Sequence, residues 1–161
     1  MPAPIDMRAL IEGYFAAFAR HDGAAMAACY HTHASFRDPV FELYGAEVGA
    51  MWRMLCSRAA DLRVQASGIV AEGDEGRADW QAWYTFSSTG RPVHNIVRSH
   101  FRFADGLIVE QVDDFAFWRW SRQALGPLGL LLGWTPPLRA KVTVNARKAL
   151  ERFIATERET K

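Results

Sequence analysis

Val93-His94-Asn95-Ile96-Val97-Arg98-Ser99-His100-Phe101-Arg102-Phe103-Ala104, then Asp105-Gly106, then Leu107-Ile108-Val109-Glu110-Gln111-Val112-Asp113-Asp114 is the stretch whose reading decides the fold. Side chains alternate between the faces of a strand, so residues of like parity lie together. Val97, Ser99, Phe101 and Phe103 make one set, and Arg98, His100 and Arg102 make the other. After the Asp-Gly turn signal, Val109, Gln111, Asp113, Phe115 and Phe117 form the set that matches the apolar one. Upstream the same period runs through 62–72 and 77–88, joined by Gly73-Asp74-Glu75-Gly76 and by Thr89-Gly90-Arg91-Pro92. Four strands, 62–72, 77–88, 93–104 and 107–118, are therefore predicted as an antiparallel meander.

Before the meander the period is helical. Leu10, Ile11, Tyr14, Phe15 and Phe18 recur on one face of a helix predicted over 6–20, with Asp6 as N-cap. After His21-Asp22-Gly23, Asp22 caps a short helix predicted through Tyr30. A brief strand over 34–38 precedes a third helix over 46–60, whose stripe is Val48, Met51, Trp52, Leu55 and Ala59. Helices first and hairpin-linked strands afterwards make an α+β layer, with helices on one face of a curved sheet. Beyond it, Gly126-Pro127, Gly133-Trp134 and Pro136-Pro137 interrupt the chain before a last amphipathic helix carrying Leu138, Val142, Ala146, Leu150 and Phe153. The expected division is 1–118 as the main domain and 119–161 as a helical extension packed on it.

Length and composition narrow the function. A chain of 161 residues, half of them apolar, suits a single core. Nineteen Lys and Arg against 18 Asp and Glu, scattered, give no broad basic field, so neither nucleic acid nor an anionic membrane is implied by overall charge. The expected partner is a small apolar ligand. Cys29 and Cys56 fall on apolar helical stripes and read as buried free thiols, consistent with a reducing, cytoplasmic setting. No secretory leader pattern is expected, and the longest apolar stretch, 128–134, is too short and glycine-rich to span a bilayer.

A carboxylate placed among apolar residues is the first candidate for chemistry, because desolvation raises its pKa and makes it a stronger base. Asp38, in Phe36-Arg37-Asp38-Pro39-Val40, is such a group; Asp-Pro is equally a turn signal in which the side chain caps a local N–H. On the inward face of the sheet, Trp80, Tyr84, Phe86, Phe101 and Phe115 are aromatic, and Ser99, Gln111 and Asp113 are polar. Phe18, Phe36 and Tyr14 join them if the first helix covers that face. Tyr14 reads either as a donor to a ligand or as an amphipathic core residue, and Asp113 either as an acid in the pocket or as a partner of Arg98. Ser99 is cheap to bury, and Asp114 takes the solvated side. His31-x-His33 lacks further ligands, so no metal is expected, and no phosphate loop points to a cofactor. His94 and His100 stand near no nucleophile motif, and Trp52, Trp83, Trp118, Trp120 and Trp134 read as packing or interface residues.

Together the first helix with Tyr14, His21-Asp22-Gly23, the strand ending at Asp38-Pro39 and Ser99-His100-Phe101-Arg102-Phe103 before Asp105-Gly106 resemble the cone-shaped NTF2-like fold. The likeness is to its ketosteroid isomerase and SnoaL-like polyketide cyclase branches, and it runs from about Asp6 to Phe117. It implies proton abstraction next to a carbonyl of a hydrophobic polycyclic or terpenoid substrate, with the base on Asp38 and the oxyanion tyrosine on Tyr14. The partner acid of the isomerases falls on Ser99, a weaker donor. Asp113 lies close to where the cyclases carry an acid/base aspartate. The alternative is a ligand-binding or dimerisation domain without turnover. A more distant one is an epoxide hydrolase of the limonene type, whose Asp-Arg-Asp arrangement would need Arg98 despite its outward parity. The resemblance also implies a homodimer through the outer sheet face.

Overall fold

Asp6 caps α1 (Met7–Ala19) as expected, its carboxylate accepting from the Ala9 amide at 3.1 Å. The computed structural model describes residues 5–161. Ile11, Tyr14, Phe15 and Phe18 on one side of α1 are buried, the apolar stripe doing what its spacing predicts. Asp22 caps α2 (Gly23–Ala27), but α2 ends before Tyr30 rather than running through it. Tyr30 instead opens β1 (Tyr30–Arg37), which is longer than the strand predicted over 34–38. The cause is tertiary: Tyr30 pairs with Ile108 across the sheet, and that partner overrides the local helical pattern.

β2 (Glu42–Tyr44) and α3 (Ala46–Arg58) follow. α2 lies close on α3 because Gly23 has no side chain; a Cβ there would stand 2.6 Å from Arg53 Cα. The meander is then β3 (Arg63–Glu72), β4 (Glu75–Phe86), β5 (Arg91–Ala104) and β6 (Leu107–Asp114), in a sheet ordered β2-β1-β6-β5-β4-β3. Every pairing is antiparallel except β1 with β6. In β3 the register shifts between Ser67 and Val70, where Gly68 takes φ +61°, and such a bulge bends the sheet around the helices.

The last strand stops at Asp114 and does not reach residue 118 as predicted. Phe117 begins α4 (Phe117–Leu125), whose buried Phe117, Trp120, Ser121 and Ala124 show a 3.6-residue period that Phe115 and Phe117 had masked as an alternation of two. α5 (Pro127–Leu132) folds back on α4, and α6 (Pro136–Glu159) runs along α3. Paired hydrogen bonds fix α6: both terminal nitrogens of Arg147 reach Glu47, and Arg53 holds Glu157 at 2.8 and 3.0 Å. Between these clamps Leu150 is wholly buried in the main core. Leu150→Ala is expected to cost about 2–5 kcal/mol of stability, read as a lowered urea midpoint. A loss below about 1 kcal/mol would mean that α6 is attached by its ion pairs alone.

Candidate functional site

Strand register gathers the polar residues. Ser99 lies opposite Asp113 and Phe101 opposite Gln111 across β5 and β6, while Phe36 lies opposite Gln111 across β6 and the parallel β1. Two residues beyond the Phe36–Gln111 pair the parallel strands reach Asp38 and Asp113, which therefore emerge at the same sheet end on the same face. Arg98 lies opposite Asp114, and its guanidinium holds Asp79 at 3.1 Å on the outer face, away from both carboxyls.

Asp113, 4% exposed, sits in a buried network with Ser99, Gln111, Tyr14 and Tyr30. Its Oδ1 accepts from Ser99 Oγ at 2.5 Å and from Gln111 Nε2 at 2.9 Å, and Ser99 in turn accepts from the Trp80 indole at 2.8 Å. Gln111 Nε2 also donates to Tyr14 Oη at 3.3 Å, and its Oε1 accepts from Tyr30 Oη at 2.5 Å. Tyr30 shares its hydrogen with Tyr14 at 3.2 Å and accepts from the Trp52 indole at 2.7 Å. Among the described residues no fully buried side-chain nitrogen or oxygen lacks a partner. Asp113 Oδ2 makes no protein hydrogen bond, so it is the oxygen that retains access to solvent.

Asp38 caps the turn that Asp-Pro signals, and its carboxyl is half-buried. Its Oδ1 accepts from the Val40 and Phe41 amides, each at 2.7 Å, which is the turn-capping role, while Oδ2 has no protein partner. Burial pushes its pKa up to about 6 against the lowering effect of those amides and of nearby Arg139. Asp113 is pushed up to about 7, first by burial and further by the charge of Asp38, with Ser99 and Gln111 pulling the other way. Burial also raises Tyr14 well above the ordinary phenol range and Tyr84 to about 12. At neutral pH both phenols stay protonated, and the two carboxyls titrate within reach of pH 7.

The remaining predicted lining residues divide between two clusters. Phe18, Phe36, Trp80 and Phe101 belong to the main core, where Phe18 meets Trp52 and Trp80 edge-on at 5.1 and 5.2 Å. Phe86 packs on Trp120, whose indole donates to Tyr84 Oη at 2.8 Å, and Phe115 lies half-buried beyond the end of β6. An opening of about 640 Å³ lies between β2 and α6, beside Leu43, Tyr44, Glu47 and Arg147, and another of about 470 Å³ lies beside Trp83, Tyr84 and His94. Neither is lined by Asp38, Tyr14 or Asp113, because the aromatic interior packs upon itself around them.

Sequence reasoning missed Tyr30, Trp52 and Arg139. Tyr30 shares parity with Ala34 and Phe36, a signal hidden by its assignment to a helix, and Trp52 was recognised only as packing. Arg139 reaches the carbonyl of Pro39 at 3.1 Å from a hundred residues along the chain, beyond any local pattern. His31 and His33 stand on β1, not at a helix end, and His31 lies 3.2 Å from Asp105. Among the described residues no three His, Cys, Asp or Glu side chains cluster as a metal site requires. Both cysteines are free, Cys56 on α3 and Cys29 in the turn before β1 rather than within a helix.

Comparison with known proteins places this geometry in a family context. The model of the SnoaL-like domain matches residues 11–111. TsrD from Streptomyces laurentii is similar over 74% of this chain and 94% of its own, at 24% identity and a TM-score of 0.64. A protein with a ketosteroid isomerase-like fold from Catenulispora acidiphila covers 79% and 97% at 14% identity and a TM-score of 0.64. An LEH-like epoxide hydrolase of M. tuberculosis covers 80% and 98% at 19% identity and a TM-score of 0.63. At these identities the likeness is one of fold. No curated protein matches the chain.

Proposed function

The chain belongs to the SnoaL-like domain family of the NTF2-like superfamily, and on that premise we propose that it is a metal-independent acid/base enzyme acting next to a carbonyl of a hydrophobic polycyclic or terpenoid substrate. Asp38 is the base. It takes the proton from the carbon beside the carbonyl, and the electron pair left behind moves into the carbonyl to give the enolate. Tyr14 donates to the developing oxyanion, its oxygen held in place by Gln111 Nε2 and the Tyr30 hydroxyl. Asp113 is the acid that returns a proton. Phe18, Phe36, Trp80, Tyr84, Phe86, Phe101 and Phe115 supply the apolar surroundings, with Ser99 and Gln111 orienting Asp113.

One observation carries this reading: Asp113 is buried with Oδ1 accepting two hydrogen bonds and Oδ2 unbonded. A protonated carboxyl so held keeps its hydrogen on Oδ2, where a ligand can receive it. Burial raises both carboxyls toward neutrality, Asp38 to about 6 and Asp113 to about 7, which suits a pair that takes up and returns a proton near pH 7. A bell-shaped rate profile centred between these values is expected on an enolisable ketone. Asp38→Asn should remove its acid limb and Asp113→Asn its alkaline limb. If both variants keep the wild-type rate, or none exceeds buffer, the proposal fails.

A second reading is a binding or dimerisation domain without turnover. It is favoured by the closed packing of Tyr14, Phe15 and Phe101 around the network. It predicts ligand affinity unaffected by Asp38→Asn and no rate above buffer. Homodimerisation and a cytoplasmic setting belong with either reading.

A further inference from the structure

Residues 115–150 contain no Asp or Glu but six Lys or Arg, whereas residues 1–114 hold ten basic side chains against fifteen acidic ones. The near-neutral total conceals a charge of +6 on one segment and −5 on the body. That basic segment also exposes large apolar side chains: Leu128, Leu130, Leu131 and Leu132 on α5, Trp134 just after it, and Trp118 on α4. Leu131 is 68% and Trp134 73% exposed. They are presented by a packed helix pair, because Gly129 and Gly133 let α5 sit directly on Ser121, where a Cβ at Gly129 would come within 1.9 Å of its carbonyl. The indoles of Trp118 and Trp134 donate to the carbonyls of Leu130 and Leu131, which ties both rings to α5.

Cations without acidic partners share this segment with the apolar surface. Among the described residues Arg119, Arg122, Lys141 and Lys148 form no ion pair, and Arg122 lies 5.0 Å over the Trp118 ring. On α6, Lys141, Val144 and Lys148 follow at three- and four-residue spacing, all exposed. We propose that α4, α5 and the start of α6 form a peripheral anchor for an anionic lipid surface. The leucines and tryptophans enter the acyl boundary, and the free cations meet the head groups. Charge complementarity selects this occupant, since a second copy docking by the same patch would bring like charges together. The mode is adsorption, because no helix among the described residues is long and apolar enough to cross a membrane.

Flotation of the full chain with vesicles tests the anchor, using phosphatidylcholine alone and phosphatidylcholine mixed with phosphatidylglycerol. Partitioning is expected on the mixed vesicles, weakened by salt. Joint Leu131→Ser and Trp134→Ser substitution should lower it about a hundredfold. Arg122→Gln with Lys141→Gln should lower it about tenfold or more, on anionic vesicles only. All these positions are exposed, so an unchanged circular dichroism spectrum accompanies the loss. Asp38→Asn and Asp113→Asn should partition as wild type does, which separates this inference from the catalytic one. Absence of partitioning overturns the anchor, as does partitioning indifferent to Leu131 and Trp134. Self-association abolished by the same pair, without lipid binding, would make the patch an interface between copies instead.

Discussion

Asp113→Asn is expected to lower turnover of an enolisable ketone by about a hundredfold to a thousandfold while making the protein more stable above pH 7. The opposed signs have one cause. A carboxyl at 3.8 when solvated and about 7 when folded binds its proton more tightly in the native state. Its contribution to stability is fully present below about pH 4 and is lost as pH rises through 7, where the folded protein must ionise a buried group. Asparagine keeps an oxygen for Ser99 and Gln111 but cannot ionise. At pH 8 the variant should therefore gain on the order of 4 kcal/mol over wild type, and near pH 4 the two should differ little. Asp38, raised to about 6, works in the same direction over a lower range. Urea unfolding at pH 5 and pH 8 reads the effect, and a variant no more stable than wild type at pH 8 would show that Asp113 ionises without cost.

This substitution is informative because only part of the inward set was legible before any coordinates. Strand period is two, so Gln111 and Asp113 had to share a face, but the Asp105-Gly106 turn by itself sets Ser99 opposite Val112. A bulge between Arg102 and Phe103, with no local signal, shifts the register by one residue, brings Ser99 onto Asp113 and buries Ile108 in place of the predicted Val109. That Asp38 joins them was not legible from parity. It depends on β1 entering the sheet parallel to β6, a pairing between segments far apart in the chain for which neither carries a local signal. The helical cap at Asp6 is a one-turn event and was readable, whereas the end of α2 is decided by where Tyr30 finds Ile108 and Gln111. At Phe115 and Phe117 two periods fit the same residues, and the helical one won because Trp120 and Ala124 complete its stripe. Net charge misled for a simpler reason: a sum over the chain erases the separation between an acid-rich body and the acid-free segment 115–150.

The extension also changes how the closed interior is understood. Trp120 bonds Tyr84, Arg139 holds the Pro39 carbonyl beside Asp38, and Phe117 lies beneath Arg139 at 5.5 Å. Residues 117–139 thus close the sheet end at which both carboxyls emerge. A substrate reaching Asp38 has to displace contacts that α4 and α6 make, so substrate entry and movement of the extension are coupled in the proposed mechanism.

Gln111 is where stability and chemistry are hardest to separate, and Gln111→Leu is expected to cost about 3–5 kcal/mol. The substitution keeps the buried volume but removes two N–H bonds and one acceptor at once. Asp113 and Tyr14 each lose a donor, and the Tyr30 hydroxyl loses its shortest partner. Tyr30 retains Trp52 and Tyr14, so coupling can be read from the pair: Tyr30→Phe with Gln111→Leu should cost less than the sum of the singles, by about 1 kcal/mol or more. A purely structural network would stop there. Gln111 also helps hold the Asp113 pKa down, so its removal should move the alkaline limb of the rate profile to higher pH and leave the acid limb of Asp38 in place. A variant that loses stability yet keeps both limbs where they were would confine Gln111 to the core and sever it from the proton on Asp113.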